Sequence, residues 1–247
     1  MRVRSYGESG PRLLLLHGGG VGGWMWQPLR ERMGDGYRFI VPDLPGHDAS
    51  ADETYRTHAQ TVAELARIVD DGSGEPLAVA GFSLGAQLAL LLASQRPELV
   101  DRVAVVSAQA KPSRAPGATL ALLGATAGLA HQRWFAELQA KELFIPPELL
   151  DDYLRTSRTI SRSTLLAAVG ENIRFTLPPE WARFPGRALV LAGARERGFM
   201  LDSARAVHAA LPGSELEIVD GAGHGIPLQR PELLAGLLRA LVDRAAA

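Results

Sequence analysis

Apolar residues along this chain fall into short runs, separated by polar turn residues and by longer stretches with helical spacing. The short runs predict strands at residues 12–16, 38–41, 77–80, 102–106, 188–192 and 215–219. The stretches between them predict helices, and strands that alternate with helices are typical of a parallel sheet. The pattern therefore predicts an α/β fold, with a mainly parallel central sheet flanked by helices.

Three of the predicted helices carry clear signals. Thr57 is a capping residue ahead of an apolar helical stripe. Residues 84–95 are apolar on nearly all sides, which favours a helix buried against the sheet. The last helix begins at Pro231 and repeats leucines at helical spacing, which predicts a helix lying on the sheet with one face in solvent.

The alternation of strands and helices stops between residues 111 and 184. Helical patches follow one another there, at 119–143, 147–159 and 163–175, bounded by prolines. Because this segment lies between two predicted strands, we interpret it as a helical cap inserted into a core of residues 1–110 and 185–247. Aromatic side chains of the cap, Trp134 among them, are expected to line a pocket.

Charge and composition narrow the range of functions. The 26 Lys and Arg residues nearly balance 27 Asp and Glu residues, for a formal net charge of -1, so no basic field is present to gather nucleic acid or an anionic membrane. The absence of cysteine excludes disulfides, thiolate metal sites and a cysteine nucleophile. We also find no apolar run of about 20 residues that would span a membrane and no secretory signal. The expected location is therefore the cytoplasm, and no metal is expected.

The strongest chemical signal is the run Gly81-Phe82-Ser83-Leu84-Gly85, between a predicted strand and a predicted helix. This is the G-x-S-x-G pattern in the setting where it forms a nucleophile elbow. Glycines two residues either side of Ser83 leave room for a tight turn that presents the hydroxyl at the carboxyl edge of the sheet. We therefore predict Ser83 as a catalytic nucleophile, with the Leu84 N–H as a donor to a developing oxyanion.

A serine hydroxyl needs a base to act as a nucleophile at neutral pH. Six histidines are candidates: His17, His47, His58, His131, His208 and His224. His224 lies in a glycine-rich loop after the last predicted strand and follows Ser83 in the chain order of serine, acid and histidine. We therefore predict His224 as the base.

The acid that orients this base is expected in the loop after the strand at 188–192. Glu196 comes first in that loop, and Asp202 falls where the next helical pattern begins. We therefore predict Glu196 as the acid, with Asp202 as the alternative.

A second oxyanion donor is expected from the glycine-rich turn after the first core strand, and Gly19 N–H is the candidate. His17 is interpreted as a structural residue of that turn.

The same stretch also fits the G-x-G-x-x-G pattern of dinucleotide binding, with Asp43 at a matching distance. Five of the six residues from 18 to 23 are glycine, so this match is nearly automatic. Asp43 is better interpreted as a loop residue that accepts from backbone amides.

Together these residues resemble the α/β-hydrolase family over essentially the whole chain. The motifs that carry the resemblance are His17-Gly18-Gly19, Val41-Pro42-Asp43-Leu44-Pro45-Gly46-His47, the elbow at Ser83, Glu196 at the acid position and Gly223-His224. The resemblance implies a mainly parallel sheet, a helical cap, no cofactor and catalysis through an acyl-enzyme. Family members usually begin with an antiparallel hairpin. Only a short segment precedes Arg12, so we expect the first strand to be missing or very short.

The expected function is hydrolysis of a small or medium, mainly apolar ester or thioester by a Ser-His-Glu triad. The substrate is expected to be a small acyl compound, and the chain a monomer or a homodimer. The residues expected to contact the substrate are Gly20, Trp24, Phe82 and Trp134. Related proteins use the same triad as C–C bond hydrolases, lyases or perhydrolases, so these reactions stay open. A ligand-binding receptor or scaffold with little turnover is the alternative outside enzymes.

Overall fold

The computed structural model describes residues 1–128 and 132–243. Its centre is a seven-stranded sheet with the order β1-β3-β2-β4-β5-β6-β7. The strands are β1 Arg2–Tyr6, β2 Arg12–Leu16, β3 Arg38–Asp43, β4 Leu77–Phe82, β5 Val100–Val106, β6 Arg187–Gly193 and β7 Glu215–Val219. Strands β2 to β7 pair in parallel, which confirms the predicted fold class and its six strands.

The first strand is the exception to the predicted arrangement. We expected it to be missing or very short, whereas β1 is five residues long and pairs antiparallel with β3 from Arg2 opposite Asp43 to Tyr6 opposite Phe39. It lies at the edge of the sheet, and none of its residues is buried. A strand of this kind lacks the apolar run by which the central strands are recognised.

Helices cover both faces of the sheet. They are α1 Gln27–Met33, α2 His58–Val69, α3 Leu84–Gln95, α4 Pro116–Thr126, α5 Arg133–Glu142, α6 Leu150–Thr159, α7 Arg162–Arg174, α8 Gly198–Ala210, α9 Ile226–Gln229 and α10 Pro231–Asp243. Alternate residues of β2 feed two separate cores: Leu13 and Leu15 pack with α1 and α10, whereas Leu14 and Leu16 pack with α2, α3 and α8. In the part of the chain that is described, no helix has the length and apolarity to cross a bilayer.

The predicted capping residue of α2 makes the expected contact. The Thr57 hydroxyl accepts a hydrogen bond from Gln60 N–H at 3.2 Å, which satisfies one of the free amides at the start of the helix. Helix α3 is buried over most of its length, and α10 begins at Pro231. These three helices begin where the sequence signals place them.

Helices α4 to α7 lie between β5 and β6, in the segment interpreted as a cap. The predicted patch at 119–143 is divided between α4 and α5. One of the candidate histidines, His131, lies outside the described residues. Helices α4 and α7 pack on each other, as do α5 and α6, and α7 also contacts α3 of the core.

One buried carboxylate joins these inserted helices to the core. The side chain of Asp48 is 5% exposed, and it lies 3.1 Å from the Arg4 guanidinium of β1 and 3.0 Å from the Arg155 guanidinium of α6. Nearby, the indole N–H of Trp24 donates to the Thr156 hydroxyl of α6 at 3.0 Å. Asp48 therefore binds the sheet edge and the inserted segment at once.

Candidate active site

Ser83 lies at the turn between β4 and α3, with a backbone φ of 53° and ψ of -111°. This left-handed conformation is unusual for a residue with a side chain. Its neighbours explain why glycine stands on both sides. A Cβ atom at Gly81 would lie 2.2 Å from the Gly85 carbonyl oxygen, and one at Gly85 would lie 2.2 Å from the Leu16 carbonyl oxygen. The tight turn therefore needs both glycines, and it holds the Ser83 hydroxyl at the carboxyl edge of the sheet.

The structure brings Ser83, His224 and Glu196 together. Nε2 of His224 lies 3.1 Å from Ser83 Oγ, and Nδ1 lies 2.8 Å from Glu196 Oε2. Since a carboxylate oxygen only accepts hydrogen bonds, Nδ1 carries the proton and Nε2 is free to accept from the Ser83 hydroxyl. The Phe82 ring packs beside the imidazole, with ring centroids 5.1 Å apart. A serine, a base and a carboxylate are thus joined in one hydrogen-bonded chain.

The Glu196 carboxylate is 1% exposed, and both of its oxygens accept hydrogen bonds from protein groups. Its Oε1 accepts from the Ser107 hydroxyl at 2.7 Å and from Gly193 N–H at 2.8 Å. These two donors leave Oε2 to His224 and fix the plane of the carboxylate. The alternative acid, Asp202, lies on α8, where it is exposed and pairs with Arg205 at 3.3 Å. The structure does not bring Asp202 to His224.

Ser107 is a site residue that the sequence reasoning missed. It follows β5 directly, has a backbone φ of 55° and donates to Glu196 across 89 positions of sequence. A polar residue at the carboxyl end of a predicted parallel strand was the available signal, because such residues meet at one edge of the sheet.

Two backbone amides lie beside the serine hydroxyl without an acceptor of their own. Gly19 N–H and Leu84 N–H donate no hydrogen bond within residues 1–128 and 132–243. A Cβ atom at Gly19 would lie 3.8 Å from the Leu84 side chain, so the two turns are in contact. This arrangement provides two donors for an oxyanion next to Ser83.

The glycine turn is fixed by His17, in the structural position expected of it. Its Nε2 accepts from Leu44 N–H at 2.8 Å, so Nδ1 is the donor to Gly18 O at 2.7 Å. Complete burial lowers the pKa of His17 to about 4, so the ring is neutral near pH 7. Asp43 accepts from Gly23 N–H at 2.7 Å, as expected of a loop residue. Contacts within the loop thus engage both ends of the glycine stretch, at Gly18 O and Gly23 N–H.

Two cavities meet at Ser83. The first, which we call the amide lobe, is about 670 Å³ and includes Gly19, Gly20 and Leu84. The second, which we call the histidine lobe, is about 510 Å³ and includes His224 and Glu196. The segment between β5 and β6 gives the amide lobe an apolar wall, made of Leu143, Tyr153, Ile160, Leu165, Ala168 and Val169.

Two of the four expected substrate contacts lie away from both lobes. Trp24 is buried in the core and uses its N–H on Thr156. Trp134 is 60% exposed and packs against Phe135. A third, Phe82, is buried behind His224 and supports the imidazole. Gly20 lines the amide lobe. The corrections have one cause: composition does not reveal which way an aromatic side chain points.

Comparison with known proteins gives a consistent result. A family model described as the alpha/beta hydrolase family matches residues 13–237. A pimeloyl-(acyl-carrier protein) methyl ester esterase of Aromatoleum aromaticum is 27% identical over 252 residues, covering 94% of this chain and 98% of its own. A hydrolase from Pseudomonas aeruginosa superposes with a TM-score of 0.83 at 21% identity, over 98% of this chain and 94% of that one. An enol-lactonase from Burkholderia xenovorans gives 0.80 at 19% identity, over 98% and 96%.

Proposed function

The chain belongs to the alpha/beta hydrolase family, and from that premise we propose that it is a serine hydrolase that cleaves small or medium, mainly apolar carboxylic esters or thioesters. One observation supports this above the others. A continuous hydrogen-bonded chain runs from Ser83 Oγ through the His224 ring to the Glu196 carboxylate. Such a chain activates a hydroxyl that is otherwise unreactive at neutral pH.

In the first half of the reaction, Ser83 Oγ attacks the carbonyl carbon while His224 Nε2 takes the hydroxyl proton. The Gly19 and Leu84 amides donate to the oxyanion that forms, and Glu196 stabilises the imidazolium. The tetrahedral intermediate then collapses. The bond to the leaving group breaks, His224 returns the proton to that group, and an acyl-enzyme remains on Ser83.

In the second half, a water molecule takes the place of the leaving group. His224 removes its proton as the oxygen attacks the acyl carbon, and the Ser83 ester bond breaks as the proton returns to Ser83 Oγ. The carboxylic acid leaves, and the enzyme is restored without a cofactor.

The shape of the cavities supports the substrate class. The amide lobe has a volume of about 670 Å³ and a largely apolar wall, which suits an acyl chain of small or medium length. The relative from Aromatoleum aromaticum is itself described as a methyl ester esterase, in agreement with ester hydrolysis. We further propose that residues 111–184 act as a cap over this site, that the substrate is a small molecule and that the chain works as a monomer or homodimer.

The test combines active-site labelling with a substrate panel. A fluorophosphonate is expected to label the protein at one equivalent, and Ser83→Ala to abolish both labelling and turnover of acyl esters and thioesters. The matched control is Ser163→Ala, which removes an exposed hydroxyl of α7 outside both lobes. Undiminished turnover by Ser83→Ala would refute the proposal. Failure of the wild type to react with fluorophosphonate would point instead to a ligand-binding role, and cleavage of a vinylogous diketone alone to C–C hydrolysis.

A further inference from the structure

The two lobes face different parts of the reaction. Gly19 and Leu84, the oxyanion donors of the proposed function, line the amide lobe and are absent from the histidine lobe. His224, which must give its proton to the leaving group, lines the histidine lobe and is absent from the amide lobe. Since the group that leaves has to reach this proton, the leaving group belongs in the histidine lobe and the acyl chain in the amide lobe.

The histidine lobe carries cations that lack partners. Arg195 and Arg197 both line it and are exposed, and Arg197 also reaches the amide lobe. Neither guanidinium makes an ion pair or a hydrogen bond with the described residues. Two carboxylates line the same lobe: Glu196 is held by His224, and Glu142 is exposed. The formal charges of these four side chains balance, but both guanidinium groups lack a hydrogen-bond partner in the described part of the chain, whereas the Glu196 carboxylate is already engaged by His224.

The first turn of helix α8 forms part of the wall of the histidine lobe. Helix α8 is 13 residues long and begins at Gly198, and its first turn has no acidic residue and no side-chain cap. Phe199 and Met200 of that turn line the lobe. A helix N-terminus that is left uncapped presents free N–H groups and a partial positive charge, which favours an anion nearby. The arginines and the helix thus act in the same direction.

We propose that the leaving group of the natural substrate carries a carboxylate or phosphate group, which Arg195, Arg197 and the start of α8 bind in the histidine lobe. This specificity rests on the serine hydrolase function proposed above. The substrate is then an ester or thioester of an apolar acyl chain with an anionic alcohol or thiol. The guanidinium groups suit this role because their paired N–H donors match the oxygens of both anions.

The experiment compares leaving groups of different charge on one acyl chain. Hexanoyl esters of 4-hydroxybenzoate, 4-hydroxybenzamide and 4-hydroxybenzylamine present an anionic, a neutral and a cationic group in similar shapes. We expect the ratio of kcat/KM for the anionic ester to that for the neutral ester to fall about tenfold in the double variant Arg195→Gln, Arg197→Gln, and to fall in the wild type as salt is added. The ratio of kcat/KM for the cationic ester to that for the neutral ester should rise in the double variant. Intrinsic differences between leaving groups cancel when variants are compared.

Two further variants separate recognition from folding. Gly198→Asp adds a carboxylate at the start of α8, where a Cβ atom meets nothing within 4 Å. The new carboxylate stabilises the helix, but it should lower the ratio of kcat/KM for the anionic ester to that for the neutral ester. Arg114→Gln is the matched control, since this exposed arginine lines neither lobe. The hexanoyl ester of 4-hydroxyphenyl phosphate distinguishes a phosphate site from a carboxylate site. The preferred anion is the one whose kcat/KM, relative to the neutral ester, falls more in the double arginine variant.

The outcomes are distinct. A structural disturbance of Glu196 would slow all the esters alike and leave the ratios unchanged, and unchanged ratios overturn the proposal. An equal loss in Arg114→Gln would also overturn it, because the effect would then belong to the whole surface. Dependence on the arginines for monoesters of dicarboxylic acids with neutral alcohols would reverse the assignment of the lobes. Turnover of these esters by Ser83→Ala would instead refute the hydrolase function itself.

Discussion

The substitution Glu196→Gln tests the site through the position of a single proton. Oε1 of Glu196 accepts from the Ser107 hydroxyl and from Gly193 N–H, so the glutamine oxygen will take that place. The amide NH₂ then replaces Oε2, which lies 2.8 Å from His224 Nδ1. An NH₂ group can only donate, so Nδ1 must give up its proton and the ring must carry it on Nε2. That tautomer cannot accept the Ser83 proton across the 3.1 Å contact.

The expected cost follows from how strongly catalysis depends on this tautomer. Loss of the carboxylate in other serine triads lowers kcat by about 10⁴, which corresponds to about 5 kcal/mol of the barrier. We expect a fall of about 10³–10⁴ in kcat for Glu196→Gln with little change in KM, because the amide lobe, where we propose that the acyl chain binds, is unaltered. The measurement is steady-state hydrolysis of a hexanoyl ester, with rates set against the concentration of folded protein.

Two other variants make the test specific. Asp202→Asn should retain the wild-type rate, since Asp202 is exposed on α8 and pairs with Arg205. Glu196→Asp keeps the charge but withdraws the carboxylate by one methylene, about 1.5 Å, so an intermediate loss is expected. If Glu196→Gln keeps kcat within threefold of wild type, or if Asp202→Asn is the crippled variant, the assignment of the acid is wrong.

Three other expectations concern the fold and the lobes. Gly85→Ala should lower the free energy of urea unfolding by at least about 2 kcal/mol, because its Cβ atom would meet the Leu16 carbonyl oxygen at 2.2 Å, whereas Gly236→Ala in the open part of α10 should be neutral or stabilising. Burial lowers the pKa of His47 to about 3. Between pH 6.5 and 3, the His47 imidazole is therefore protonated in the unfolded chain but neutral in the native state. The contribution of neutral His47 to the free energy of unfolding is therefore fully present above pH 6.5 and is lost as the pH falls; urea titrations should show a slope between pH 6.5 and 4.5 that is shallower in His47→Gln. Trp134→Ala should leave kcat/KM for the hexanoyl ester unchanged, since this side chain is 60% exposed and lines neither lobe; a tenfold loss would return it to the site.

Much of the scaffold was predictable because its determinants are local in sequence. An apolar run such as β4, followed by glycines around Ser83, specifies a buried strand and a tight turn whatever the rest of the chain does. The order of Ser83, Glu196 and His224 was readable for a related reason. Each follows a predicted strand, and parallel strands end at the same edge.

The remaining features depend on contacts between distant parts of the chain. Trp24 is turned away from the cavities by a hydrogen bond to Thr156, 132 positions later, and Ser107 acts on Glu196 from another strand. Strand β1 is exposed along the sheet edge, so its pairing with β3 leaves no apolar signature. Periodicity describes which side of an element is buried, but it does not identify the partner on that side.

The shared carboxylate of Asp48 couples the amino-terminal strand to α6. Asp48 pairs with both Arg4 and Arg155. Removing the first six residues would therefore leave this buried carboxylate without its Arg4 partner and weaken its contact with α6. We therefore expect a chain trimmed at that end to hold the proposed cap less tightly, although the hydrogen bonds among Ser83, His224 and Glu196 involve none of the removed residues.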